Sequence, residues 1–279
     1  MAVRPRRFAQ VDVFSAAPLG GNPVAVVLDA EDLDPETMQR FARWTNLSET
    51  TFVLPPDAPG ADYRARIFTL GRELPFAGHP TLGTCHAWLE TLPDGAARDR
   101  VVQECGAGLV EIRRTPAGLA FAAPPVTRSG PVEASTLAGV LQGLGVAPAS
   151  VVDAQWVDNG PGWLAVLLAS AEEVLALEPA LGAWDDVGVV GFHDPGATEA
   201  IEVRAFFRAG DTVVEDPVTG SLNASVAQWL LGSGRLTAPY VARQGTALGR
   251  TGRVHVTQTA AAIWIAGATT TAVAGTVTL

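Results

Sequence analysis

The chain has 279 residues, 48% of them hydrophobic and only 17% charged, which is enough apolar material for one large core or two moderate ones. A net charge of −10, a pI near 4.8 and scattered arginines exclude the basic surface that nucleic-acid binding needs. No apolar run reaches the length of a membrane-spanning helix, and the basic N-terminal MAVRPRRFAQVDVF lacks the apolar stretch and cleavage site of a secretory signal, so a soluble cytoplasmic protein is the expectation.

In chain order, an apolar run, Pro23–Leu28, comes first. NLSETTFVLPP follows at 46–56. Thr50, Thr51, Phe52, Val53 and Leu54 are β-branched or apolar strand formers, and Pro55 and Pro56 end the run. Glu49 stands at its mouth, where local pattern alone reads it as a solvated strand-end charge. Tyr63–Thr69 reads as a second strand, followed by a turn near Gly71 and an extended ELPFA. His79 precedes a proline and is expected to be extended, with Pro80 at the first helical position. Leu82, Cys85, His86 and Leu89 then fall at helical spacing. In the second half, Asp216 reads as an N-cap before Pro217, and Leu222, Val226, Trp229 and Leu230 form an apolar helix face. Cys85 and Cys105 read as buried small apolar residues rather than a disulfide. The four histidines (79, 86, 193, 255) match no metal-ligand spacing, and there is no Walker loop or strand-borne GxGxxG. Neither metal nor organic cofactor is expected.

Two of these segments are copies of each other. FAGHPTLGTCHAWL and VEDPVTGSLNASVAQWL superpose so that His79, Pro80, Gly83, Thr84 and Ala87 match Asp216, Pro217, Gly220, Ser221 and Ala224, each 137 positions on. Pro23–Leu28 likewise echoes Gly162–Leu168, with Ala25 and Ala165 140 positions apart. Both offsets are close to half the chain, which implies a duplicated domain. The expected units are 1–125, completed by 266–279, and 126–265. Gly83 and Gly220 fall in the expected first helical turns, where glycine is costly. Close backbone approach of a ligand would explain them. Two such helix starts, each with a hydroxyl beside it, offer N–H donors and partial positive charge to a small carboxylate bound between the halves. Glu49 has no counterpart, because the same offset lands at 186–189, beside Asp185 and Asp186 but without the Glu-Thr-Thr pattern. A single acid/base group suits moving a proton from one carbon to another, whereas a racemase needs two bases on opposite faces of one carbon.

VDVFSAAPLGGNPVAVVLDAEDL, NLSETTFVLPP, ELPFAGHPTLGTCHAWL, VVEDPVTGSLNASVAQWL and RQGTALGR together resemble the PhzF-like phenazine-biosynthesis isomerase family, in its order and over nearly the whole chain. The resemblance implies an α+β fold of the diaminopimelate epimerase type. Two pseudo-symmetric domains each roll a mostly antiparallel sheet around a central helix, with the active site in the cleft between them. It further implies a homodimer, no metal or organic cofactor, and a small, cyclic carboxylate as substrate. Glu49 matches the family's catalytic glutamate, which takes a proton from one substrate carbon and returns it to another. To do so near neutral pH it needs a raised pKa, which partial burial against Phe52 or a neighbouring carboxylate would supply. His79 and Asp216 match the residues that hydrogen-bond the substrate or assist proton movement, and Gly78, Thr81, Gly220, Ser221 and Asn22 match substrate contacts. Leu70, where the family commonly has proline, and Arg43-Trp44-Thr45 depart from the pattern and bear on substrate identity. A two-base epimerase using His79 and Asp216, and a non-catalytic binding protein on the same fold, stay open as alternatives.

Overall fold

Two helices of this chain, Gly78–Leu89 and Gly220–Gly232, are buried along most of their residues, polar ones included, and such helices have to be surrounded. In the computed structural model, which describes residues 3–180, 184–209 and 212–279, each is wrapped by its own sheet. Met1 and Ala2 of the basic N-terminal stretch and Ala183 at the start of AWDDVGVVGF lie outside the described residues. The chain divides into two compact units, Met1–Ala122 with Ala266–Leu279, and Ala123–Ile265.

The first unit contains strands β1 (Pro5–Val13), β2 (Asn22–Val27), β3 (Glu49–Leu54), β4 (Tyr63–Thr69), β5 (Glu73–Leu74), β6 (Arg100–Cys105), β7 (Gly108–Thr115) and β8 (Gly118–Ala122), with helices α1 (Pro35–Thr45) and α2 (Gly78–Leu89). The C-terminal strand Thr269–Thr278 pairs with β1, and the order runs from it through β1, β2, β3, β4, β6, β7 to β8, with β5 also on β4. Among the described residues of this unit the parallel pairs are β2–β3 and β4–β6. Helix α2 touches strands from both ends of that order as well as its middle, so the sheet curls around it. Pro23–Leu28 is uniformly apolar because β2 is covered on both faces, by α2 and by the α1 cluster of Met38, Phe41, Phe52 and Phe68.

The second unit repeats the plan with β9 (Arg128–Pro131), β10 (Val151–Asp158), β11 (Leu164–Leu168), β12 (Asp186–Phe192), β13 (Ile201–Ala209), β14 (Thr212–Asp216), β15 (Tyr240–Gln244) and β16 (Gly252–Gln258). Their order is β9, β10, β11, β12, β13, β15, β16, with β14 also on β13, and the parallel pairs are again the equivalent two, β11–β12 and β13–β15. Helix α5 (Gly220–Gly232) takes the place of α2. Helix α3 (Ala134–Leu144) is an addition, and α4 (Ala171–Leu175) covers the position of α1. Alternation along β11 sends Leu164, Val166 and Leu168 to the α3 core. β17 (Ile263–Gly267) leads back to the first unit, where β18 is the C-terminal strand already described.

Several local expectations change. Helix α2 begins at Gly78, so His79 is helical rather than extended and Pro80 is the third helical residue. Proline is tolerated there because the first turn's N–H groups have no intrahelical acceptor in any case. Gly83 therefore lies in the second turn, and no ligand explains it. A Cβ on Gly83 would sit 2.3 Å from Val24 Cγ1 and 3.0 Å from Val13 Cγ2, so glycine is there to let the helix lie on the sheet. Asp216 is not an N-cap, since it ends β14 and the helix starts at Gly220 after Thr219. Pro217, Val218 and Thr219 form a non-helical turn between them. The two helix starts are consequently not equivalent.

Candidate active site

In the first unit the site begins with strand alternation. Thr51 and Glu49 are two residues apart on β3 and share the face turned to α2, while Thr50 and Phe52 face α1. Thr51 Oγ1 lies 2.7 Å from Thr84 Oγ1 in α2, and the Thr84 hydroxyl donates to the Pro80 carbonyl at 2.6 Å. Stepping back two strand residues covers about 6.6 Å. Stepping back five helix residues from Thr84 covers about 7.5 Å. The two paths converge on Glu49 and His79, whose Oε2 and Nε2 are 3.4 Å apart. Phe52 lies on the opposite face, so α2 rather than Phe52 shields the carboxylate, which is 16% exposed. That is not a solvated strand-end charge.

Asn22, at the start of β2 and wholly buried, faces the other side of the ring, with Nδ2 3.4 Å from His79 Nδ1. Ser48 Oγ lies 3.5 Å from Asn22 Oδ1. The preceding loop is closed by Asp12, a buried carboxylate that accepts the Gly21 N–H at 3.0 Å. Burial pushes the His79 imidazole down to about 3, and a hydrogen bond to the Pro23 carbonyl opposes this only in part. The ring is therefore neutral at any physiological pH. It can pass or share a proton but does not hold a lasting positive charge. The N–H groups of Gly78 and His79 open a twelve-residue helix whose N-cap, Ala77, has no capping side chain. Thr81 points elsewhere: it is fully buried and its hydroxyl accepts from Gln103 Nε2 at 3.0 Å, in a network that continues to Tyr63.

The second unit brings together Asp216, Thr219, Gly220 and Ser221. The Thr219 hydroxyl donates to Asp216 Oδ2 at 2.6 Å. Ser221 Oγ accepts the Trp163 indole N–H at 3.0 Å, and its carbonyl accepts from Asn159 Nδ2 at 2.8 Å. Trp163 is thus a buried brace for Ser221. Glu215 is structural, paired with Arg204 through two hydrogen bonds. The ladders also locate the counterpart of Glu49. Ala25 pairs with Thr50 and Ala165 with Gly188, so the residue one before, Glu49, corresponds to buried Val187. Asp186 lies one place further back, half-buried at the strand start. The carboxylate belongs to one unit alone.

The Thr84 hydroxyl, expected beside the helix start for a bound carboxylate, is instead buried against the Pro80 carbonyl and Thr51, where it sets the register of Glu49 against His79; sequence reasoning passed over Thr51, Asp12, Thr219 and Gln244. The last three lie inside segments singled out for their motifs; Gln244 has its partners 21 to 28 residues away, while Thr219 and Asp12 bond residues of their own segments, Asp216 and Gly21. Among the described residues no group of three or more His, Cys, Asp or Glu side chains could hold a metal ion.

The model of the PhzC-PhzF family, described as phenazine biosynthesis-like protein, matches residues 11–275. The chain is 38% identical over 256 residues to trans-2,3-dihydro-3-hydroxyanthranilate isomerase of Pseudomonas fluorescens, covering 86% of each sequence. Its structure is similar to a crystal structure of the Bacillus anthracis PhzF-family phenazine biosynthesis protein, with a TM-score of 0.81, 22% identity and coverage of 98% and 99%. More distantly it is similar to a hydroxyproline epimerase from Agrobacterium vitis, with a TM-score of 0.61, 14% identity and coverage of 99% and 93%. These two likenesses establish the epimerase-type fold.

Proposed function

The chain belongs to the phenazine biosynthesis-like protein family and is an isomerase, and we propose that it moves a proton between two carbons of a small cyclic carboxylate, with Glu49 as the proton carrier. The observation that supports this is the 3.4 Å approach of Glu49 Oε2 to His79 Nε2 at an uncapped helix start. Glu49 removes a proton from a substrate carbon and returns it elsewhere on the conjugated system. Neutral His79 shares the proton while it is held, and Asn22 fixes the ring from its other side. The Gly78 and His79 N–H groups suit the substrate carboxylate. The reaction consumes no proton overall, since Glu49 returns one proton for each it takes, and its carboxylate, 16% exposed, exchanges that proton with solvent in between. Asp216, Gly220 and Ser221 are proposed substrate contacts on the strength of the motif they share with the family. A two-base epimerase using His79 is disfavoured, because an imidazole held near 3 is a weak base.

The test uses trans-2,3-dihydro-3-hydroxyanthranilate, the compound named for the Pseudomonas relative, in deuterated water. Wild type is expected to isomerise it and to place solvent deuterium at the carbon that gains the proton. Glu49→Gln, which keeps shape and burial, is expected to lower the rate by about 10²- to 10⁴-fold. Unimpaired turnover by that variant sinks the assignment. Inversion at one carbon without migration would instead support the epimerase, and binding without any exchange would support a non-catalytic protein.

A further inference from the structure

The RQGTALGR segment places a glutamine against the second unit's helix start. Gln244 ends β15 and is completely buried. Its Oε1 accepts the Thr219 backbone N–H at 3.0 Å and Asn223 Nδ2 at 2.8 Å. Its Nε2 donates to the Asp216 carbonyl at 3.1 Å and to Thr219 Oγ1 at 2.9 Å. The backbone decides which way this amide points, because an N–H can face only the oxygen and a carbonyl only the nitrogen. With one lone pair of the Thr219 hydroxyl taken by Gln244, its single hydrogen goes to Asp216 Oδ2. The polarity runs one way, from amide to hydroxyl to carboxylate.

The neighbours of Gln244 are held as firmly. Thr246 Oγ1 donates to Glu202 Oε1 at 2.6 Å, and Arg243 Nε lies 3.8 Å from Glu202 Oε2. Gly245 takes a left-handed φ of 89°, and a Cβ there would sit 2.6 Å from the Pro217 carbonyl oxygen. Turn and strand are therefore pressed together without an intervening side chain, and Gln244 satisfies the polar groups so enclosed. All four hydrogen-bonding positions of the Gln244 amide are used, which fixes its orientation, while Asn223 Oδ1 in the same network is buried without a partner.

We propose that Gln244 is a positioning residue for the reaction: it fixes the Asp216–Gly220 turn and, through Thr219, aims the Asp216 carboxylate as a hydrogen-bond acceptor. The inference rests on the reading that Asp216 contacts substrate. Gln244→Glu keeps the shape but replaces the Nε2 donor by an acceptor, so the Thr219 hydroxyl turns its hydrogen away from Asp216. The expected result is a kcat about 10- to 100-fold lower with KM little changed. In the Asp216→Asn background the same substitution is expected to cost less than about threefold, because the two act in one path. If Gln244→Glu costs its full factor in both backgrounds, or nothing in wild type, the positioning role is wrong. If Asp216→Asn alone turns over like wild type, the failure lies in the assignment of Asp216. A second measurement needs no substrate: in Gln244→Leu the Thr219 amide hydrogen is expected to exchange at least about tenfold faster, with α2 amides unchanged. Unaltered exchange at Thr219 overturns the proposal.

Discussion

The helix starts of the two units show how one duplicated plan diverges. In the first, Gly78-His79-Pro80 is helical, and the ring of His79 meets a carboxylate from a neighbouring strand. In the second, Asp216 stays on its strand, the helix is delayed to Gly220, and the intervening turn is filled by hydroxyl and amide bonds. Each unit also sends a buried glutamine to a threonine of the same motif, Gln103 to Thr81 and Gln244 to Thr219. The scaffold is shared, while the titratable pair sits on one side only. Duplication supplies two similar frames, and single substitutions, Glu49 where the other unit has Val187, decide which frame carries the carboxylate at that place.

The contrast breaks most visibly at the carboxylates. Glu49→Gln is expected to remove about 10²- to 10⁴-fold of turnover, and Asp216→Asn about 10- to 100-fold, both with unfolding midpoints near wild type. Equal losses would mean that the two units share the chemistry. Titration is the next difference. His79 binds its proton near 6.5 when unfolded and only near 3 when folded, so the unfolded state holds the extra proton between those values. Stability contributed by this site is thus complete above 6.5 and falls with acidification, by roughly 2 kcal/mol at pH 5. The His79 ring resonances should stay those of a neutral imidazole down to pH 4, and His79→Asn should flatten the acid limb of stability.

A smaller effect is expected from packing. Gly83→Ala forces a methyl group into Val24 and Val13 and is predicted to cost about 1–3 kcal/mol in urea unfolding, despite alanine's better helix propensity. A stabilised variant would show that the helix can lift from the sheet. The smallest is Thr84→Val, which removes the hydroxyl contact with Thr51 and is predicted to cost about 1 kcal/mol. Its value lies in the accompanying loss of turnover, since that contact registers Glu49 against His79.

Strands were read well where chemistry and period agreed. Tyr63–Thr69 is observed with those bounds, and the Thr50–Leu54 run is extended by Glu49 alone. Helix starts were read poorly. Proline suits any of the first helical positions, so Pro80 could not say whether His79 lay inside or outside α2. Gly83 drew a ligand-based explanation because a sequence displays the missing side chain and hides Val24 and Val13, which fill its place.

The amino-acid sequence by itself determined much of the architecture: helix-spaced apolar residues at 82–89 and 222–230, a repeat at half the chain length, and motifs that place the chain in its family. These features are local or periodic and survive without coordinates. Only the tertiary structure decided that Glu49 meets His79, that Val187 occupies the matching place in the other unit, and that Gln244 holds the Asp216 turn. Glu49 and His79 are 30 residues apart in chain, Asp216 and Gln244 28, and Val187 and its strand partner Leu164 23, and registers of that kind are set by packing rather than by neighbours in sequence.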